Sequence, residues 1–314
     1  MDTIKIDNHI ELQYDKLPKS WVFYTLQDAD TCLSCGYSYN LRKRIRSIKA
    51  KAEDDRAYRE MWDRASSLQW QEHSCALNAL VQNKCFLQNQ LPEYQEALLP
   101  WREYVYLGID ALAFPFISIT ENTQGDAIYL GPFRSRFWLV DLIDTYARIL
   151  KLPQCETGNY PCDKYTRGSC SGWCMNLEET PADKDIPTLE KLDSLLKEAF
   201  VHPENGILEL VQRERDKYFN DLEFIKASLL DDELELLAKY RSWLKFLYVA
   251  KQLELDTPEL KVAKGRISRC RFEGKDYHFP VDNTAYRKNE SLALDLAYLD
   301  ECRIIYDYLT TQEK

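Results

Sequence analysis

An α+β protein built from several small modules is expected, on three observations. Short apolar runs closed by turn residues fill 21–36 and 104–131. Four cysteines fall between residues 155 and 174, in a stretch rich in loop formers. From about 188 to 253 the chain reads as nearly continuous amphipathic helix.

The elements follow in order. Residues 21–26 (WVFYTL) and 32–36 (CLSCG) predict two strands joined by a turn at Gln27-Asp28-Ala29-Asp30. The segments 40–66 and 74–90 have helical spacing and composition. Three further strands are expected at Tyr104–Gly108, Phe114–Thr120 and Ala127–Gly131, the last two joined by Gly125-Asp126. A helix at about 135–151 presents Leu139, Leu142, Ile143, Tyr146, Ile149 and Leu150 on one face. After a break at Pro203-Glu204-Asn205-Gly206, helices at roughly 206–230 and 232–253 should pair as an antiparallel hairpin. The tail predicts a β-hairpin, Arg266–Phe272 and Asp276–Phe279, turning at Glu273-Gly274-Lys275, and a last helix near 290–310.

The chain has 314 residues, 45% of them hydrophobic, and a net charge of −10. That length accommodates one to three domains with real cores. Ten glycines and twelve prolines exclude a collagenous or low-complexity protein. No apolar run approaches the roughly 20 residues of a membrane-spanning helix, so no membrane partner is expected. The first residues, MDTIKIDNHIELQYDKL, contain no apolar signal core, and a cytoplasmic location is expected. Most of the acidity is local: residues 175–240 hold 17 acids and 8 bases, a net of −9. Within the near-neutral remainder lies a basic run, residues 41–51, with six cations and no acid.

The chemistry-bearing signal is the set Cys155, Cys162, Cys170 and Cys174, spaced C-x6-C-x7-C-x3-C. Gly158, Pro161, Gly168 and Gly172 between them form loop, which can wrap a small centre but cannot bury itself without one. Thiolates suit zinc or an iron–sulfur cluster. A zinc ribbon prefers two tight C-x2-C knuckles, whereas a [4Fe-4S] cluster tolerates long, unequal loops. The competing reading is two disulfides or four separate thiols, which a reducing compartment disfavours. Cys32 and Cys35 also form a C-x2-C, but residues three apart on a strand face opposite sides, so they are expected to be core. Cys75, Cys85, Cys270 and Cys302 are isolated and expected to be core as well.

Six anchors in order resemble the N-terminal half of the UvrC and Cho-type GIY-YIG excinuclease family. Trp21-Val22-Phe23-Tyr24, Asp28-Ala29-Asp30 and Ser34-Cys35-Gly36 occupy the place of the GIY…YIG signature, and Asn40-Leu41-Arg42-Lys43-Arg44 is similar to its NLRKR helix start. Pro92-Glu93-Tyr94 sits where the family has P-x-Y, and Tyr129-Leu130-Gly131-Pro132-Phe133 looks like Y-F-G-P-F. Pro161-Cys162, Tyr165, Gly168, Cys170-Ser171 and Cys174 look like PCLxYxIGRCSAPC, with agreeing x7 and x3 spacings and a shorter first loop. Leu222-Glu223-Phe224-Ile225-Lys226-Ala227-Ser228 resembles the LEFEKAA core of the UVR helical hairpin that docks on UvrB.

The resemblance, which runs over about residues 18–250, and the residue pattern of the tail together imply four segments. These are a small GIY-YIG-like α/β domain over 1–98 and a β/α iron–sulfur cysteine module over 99–180. An acidic UVR-like helical hairpin over 181–255 and a C-terminal β-hairpin plus helix over 256–314 follow. The resemblance also implies a [4Fe-4S] cofactor on Cys155, Cys162, Cys170 and Cys174, a DNA partner and a helical protein partner.

The departures fall on the catalytic positions. A GIY-YIG nuclease uses two tyrosines, a lysine, an arginine and a metal-binding glutamate. Here those positions read Phe23, Ser34, Tyr37, Arg42 and Asn83, so only Arg42 is retained. A neutral amide is a poor sole ligand for Mg²⁺. Glu72, Glu93 and Glu96 are nearby carboxylates, but none sits on the helical turn of Asn83. Arg42, Arg44, Arg46 and Lys49 are the candidate phosphate contacts. The expected function is therefore an iron–sulfur relative of UvrC with an inactive nuclease domain, binding nucleic acid or protein in a DNA-repair setting. Two alternatives stand beside it: an active endonuclease with a rearranged metal site, and a [4Fe-4S] redox sensor or electron carrier that does not meet DNA.

Overall fold

A computed structural model describes residues 1–6, 15–98, 104–153, 162–177, 188–203, 205–281 and 292–312. The mixed α+β class expected above is found, in two compact units. The first holds 1–102, 252–281 and 300–314; the second holds 103–251 and 282–299.

In the first unit, β1 (Asp2–Lys5), β2 (Trp21–Asp28), β3 (Thr31–Ser38) and β4 (Ser67–His73) form an antiparallel sheet in the order β1-β4-β2-β3. β1 and β4 were not expected. β4 (SLQWQEH) buries only Leu68 and Trp70, two residues apart, amid polar neighbours, so its strand pattern is short and diluted. The helix-like segment 40–66 is two helices, α1 (Leu41–Asp54) and α2 (Arg56–Arg64). Asn40 caps α1 by accepting the Lys43 N–H at 2.9 Å. Asp55, in extended conformation, breaks the run and caps α2 by accepting the N–H groups of Ala57 and Tyr58. Leu41, Ile45, Ile48 and Ala52, at i, i+4, i+7 and i+11, pack with Tyr58 and Met61 onto Val22, Tyr24, Leu26, Leu33 and Leu68. The pairing of β2 with β3 shifts register after Leu26, which faces Ser34 while Gln27 faces Cys32. The extra residue, Leu33, is a β-bulge.

α3 (Ala76–Asn89) packs against the same sheet through Phe86 and Leu87, which meet Phe23, Cys32 and Cys35. The tail returns to this helix. β8 (Leu255–Asp256), β9 (Leu260–Ala263), β10 (Arg266–Phe272) and β11 (Lys275–His278) form an antiparallel sheet in the order β11-β10-β9-β8. The expected hairpin turn is present: Glu273 and Gly274 both have positive φ, matching the right-handed twist of the paired strands. Val262, Ile267 and Cys270 join Leu77, Leu80 and Cys85 of α3 and Ile305 of α9 (Leu299–Gln312) in one core. The last helix thus starts at Leu299 rather than near 290. Residues 292–293 are a strand, and 282–291 lie outside the described residues.

In the second unit, β5 (Val105–Ile109), β6 (Ile117–Thr120), β7 (Ile128–Phe133) and β12 (Leu292–Ala293) form a sheet in the order β12-β7-β5-β6. β12 is parallel to β7; the other pairs are antiparallel. α4 (Arg136–Leu150) is capped by Ser135, which accepts the Trp138 N–H, and ends at Lys151 in the left-handed region. One helical turn, α5 (Asp163–Thr166), and α6 (Leu189–Leu196) precede the hairpin of α7 (Asn205–Asn220) and α8 (Phe224–Ala250). The break lies at 221–223, not at 231 as expected. Leu222 takes positive φ there, whereas Asp231 stays helical and pairs with Arg215 at 3.4 Å. The unit's core gathers the rings of Phe133, Trp138, Tyr146, Phe200 and Tyr240. The buried Tyr240 hydroxyl donates to the Phe200 carbonyl at 2.6 Å.

Candidate functional site

The nuclease-type positions lie in the first unit, Phe23, Ser34 and Tyr37 on the sheet, Arg42 on α1 and Asn83 on α3. Phe23, Ser34 and Asn83 are 0%, 4% and 8% exposed. The Phe23 ring packs on Phe86, with centroids 5.3 Å apart. The Asn83 amide oxygen accepts the Cys35 S–H at 3.4 Å. The bulge at Leu33 turns Cys32 and Cys35 to the same side, against Phe23, correcting the expectation that they face apart. Both remain core residues: burial pushes the Cys32 thiol up to about 11 and raises Cys35 further, with Cys32 adding to it.

Tyr37 lies against the core formed by α3 and the tail sheet. Burial raises its phenol, and the carboxylates of Asp300 and Glu301 raise it again. Glu301 is itself fully engaged. One oxygen accepts the Lys84 ammonium at 2.7 Å, and the other accepts the Ile267 N–H at 2.6 Å. Of the other nearby carboxylates, Glu72 accepts from the Ser20 hydroxyl and Glu93 pairs with Arg64. Among the described residues, no three Cys, His, Asp or Glu side chains come together as a metal-holding group.

Sequence reasoning passed over one phenol. Tyr24, beside Phe23, points to the opposite face of the sheet, where its hydroxyl accepts the Arg44 Nε–H at 2.9 Å. Gly36 faces it across the strand pair, and a Cβ at Gly36 would stand 2.9 Å from the Tyr24 oxygen. That glycine, read only as part of a motif, was the available signal. Of the four candidate phosphate contacts, Arg44 is thus turned inward, and Arg42 pairs with Asp15. Arg46 is exposed and Lys49 half-buried on α1.

The cysteine loop belongs to the second unit. Cys162 stands at the residue before α5 without a capping side-chain bond, and Cys170 and Cys174 are buried; Cys155 and Pro161 lie outside the described residues. Gly168 and Gly172 have positive φ, and a Cβ at Gly172 would meet the Tyr165 ring at 2.9 Å. The turn at Gly172 aims the N–H groups of Gly172 and Trp173 at the Cys170 sulfur. Burial raises the Cys170 thiol, these two donors oppose the rise, and Cys174 and Cys162 stand near enough to add to it. Trp173 closes the loop from behind: it is 1% exposed and donates Nε1–H to the Lys151 carbonyl at 2.9 Å. Among the described residues, Cys162, Cys170 and Cys174 are not brought together as a metal-holding group.

The tip of the α7–α8 hairpin carries Phe219, Leu222, Phe224, Ile225 and Leu229, each 53–82% exposed. Apolar residues gathered in this way mark an interaction surface.

No family model matches the chain, and no solved structure matches it. Among curated proteins, the chain is similar to UvrABC system protein C. The relative from Fervidobacterium nodosum is 24% identical over 224 residues, covering 70% of this chain and 38% of the relative. That from Natronomonas pharaonis is 24% identical over 232 residues, covering 72% and 39%. That from Fusobacterium nucleatum is 22% identical over 252 residues, covering 77% and 40%. The chain therefore spans about two fifths of the length of the curated relatives it matches. The stretch covered is consistent with a UvrC N-terminal, GIY-YIG-like region.

Proposed function

We propose that this chain is a UvrC-like, DNA-repair-related binding factor that does not cut DNA. The observation that carries the proposal is the burial of Phe23, Ser34 and Asn83, which leaves a neutral, enclosed amide where the family has its metal-binding glutamate. Hydrolysis of a phosphodiester by this type of site needs an open face, a metal, and a phenol or metal-bound water to handle the proton. Here the amide of Asn83 is bonded to a thiol, and Phe23 carries no hydroxyl. Losses within one catalytic set do not rescue one another.

Contact with DNA would fall to the outer side of α1, where Arg46 and Lys49 offer cations to phosphates. A helical protein partner would meet the apolar tip of the α7–α8 hairpin. Cys162, Cys170 and Cys174, with Cys155, would hold a [4Fe-4S] cluster. When bound, such a cluster supplies a structural staple and a one-electron centre. The protein's own part is to present thiolates, direct the Gly172 and Trp173 amides at Cys170 and shield the loop with Trp173.

The test is nicking of supercoiled DNA with Mg²⁺ or Mn²⁺ by the full chain and by Arg42→Ala. No cutting above background by either is expected. Robust metal-dependent cutting that vanishes in Arg42→Ala would overturn the proposal. It would favour an active endonuclease with a rearranged metal site.

A further inference from the structure

Cys85 on α3 and Cys270 on β10 are 185 positions apart in sequence, yet their sulfurs lie 3.6 Å apart. Both are buried, at 2% and 1% exposure. They share a core with Leu77, Leu80, Val262, Ile267 and Ile305, and the charges of Lys84, Asp276 and Glu301 also act on the Cys270 thiol. Two sulfurs at this separation are in van der Waals contact, and small side-chain rotations bring them to bonding distance. Neither thiol belongs to the four-cysteine loop, which lies in the other unit.

We propose that Cys85 and Cys270 are a redox modification site, closed to a disulfide by a small peroxide and reopened by thiol reductants. The step balances. One thiolate sulfur attacks a peroxide oxygen, the O–O bond breaks, and the leaving hydroxide takes up a proton to become water. The resulting sulfenic acid is then attacked by the second sulfur, forming the S–S bond and releasing a second water. Both sulfurs are oxidised and both peroxide oxygens reduced. Hydrogen peroxide is close to water in size, so local opening of the tail sheet is enough to admit it.

The consequence is mechanical. The disulfide ties the tail sheet to α3, adding a covalent link to the apolar packing, the hydrogen bonds that Gln88 and Asn89 donate to the His278 carbonyl and the Tyr277 hydroxyl, and the bonds and ion pair of Glu301. Closing a loop this long constrains the unfolded chain strongly.

The experiment treats the full chain with hydrogen peroxide, blocks the remaining thiols by alkylation and maps the peptides by mass spectrometry. A peptide pair joining Cys85 to Cys270, short of two hydrogen atoms and released by dithiothreitol, is expected. Oxidation should also raise the thermal midpoint of the first unit by about 5 °C. Neither change should occur in Cys85→Ala or Cys270→Ala. Full alkylation of both thiols after peroxide treatment overturns the proposal. So does a disulfide from either cysteine to Cys302, or a linked pair without any thermal shift. The mapping is read on the unaltered protein, so a variant that fails to fold does not remove the test.

Discussion

The sheet of the first unit and the cysteine loop of the second both carry a recognisable spacing, but they treat their polar groups in opposite ways. In the sheet, the positions that would do chemistry point into packed interior: Phe23 onto Phe86, Asn83 onto the Cys35 thiol, Tyr37 into the core beneath the tail. In the loop, the backbone directs donors at a sulfur, through the Gly172 turn and the Trp173 amide. A buried polar group satisfied within the fold is structure. On the reading proposed above, a thiol met by two amide donors is one arranged for a ligand. Motif spacing is common to both regions; whether the donors have been answered from within is what separates them.

The largest effect expected of breaking this comparison is in the loop. Protein purified without oxygen should contain iron and acid-labile sulfide. Cys170→Ser should lose most of both and lower the stability of the second unit, because a centre bound only by the folded state contributes its binding energy to folding. Iron and sulfide assays with thermal melts read this. A colourless protein, or a Cys170→Ser variant with unchanged iron, would remove the distinction between the two regions.

Next in size is the ion pair beneath the tail. Lys84 and Glu301 side chains are 16% and 7% exposed. Glu301→Gln leaves the ammonium without its counter-charge and should cost about 3 kcal/mol in urea unfolding. Lys84→Met added to it should recover most of that loss. If the single substitution costs under about 0.5 kcal/mol, as an exposed pair would, the tail is not held in the way described.

Asn83→Glu comes third. Placing a carboxylate at an 8% exposed position that now bonds to Cys35 should cost about 2 kcal/mol and restore no cutting. Metal-dependent nicking by this variant would show that the sheet lacks only one ligand.

What could be read in advance divides along physical lines. Local signals were legible. The spacing of Leu41, Ile45 and Ile48 announced a helix, the Glu273-Gly274 turn announced a hairpin, and Gly168 and Gly172 announced a loop around cysteines. Signals that depend on a partner far along the chain were not. β4 takes its strand character from the pairing with β1 and β2, since its own sequence is mostly polar. The bulge at Leu33 reverses the facing of Cys32 relative to Cys35, and nothing in C-x2-C reveals it. The hairpin break at 221–223 has no glycine or proline; Leu222 takes the left-handed conformation without the residue type that usually marks it. The return of the tail to α3 rests on the meeting of Cys85, Ile267 and Ile305, which lie too far apart in sequence for periodicity to connect.

The smallest effect sharpens the comparison most finely, because it concerns a phenol on the face of the sheet opposite Phe23. Tyr24 is 1% exposed, and its hydroxyl accepts from Arg44 beside Gly36. If this pair is structural, Tyr24→Phe removes one hydrogen bond to a charged donor. It should then cost about 1–2 kcal/mol, without altering DNA affinity or its salt dependence. Gly36→Ala should destabilise through the same oxygen, because its new methyl must displace the phenol. If Tyr24→Phe instead leaves stability unchanged and weakens salt-dependent DNA binding, Arg44 is held for a ligand.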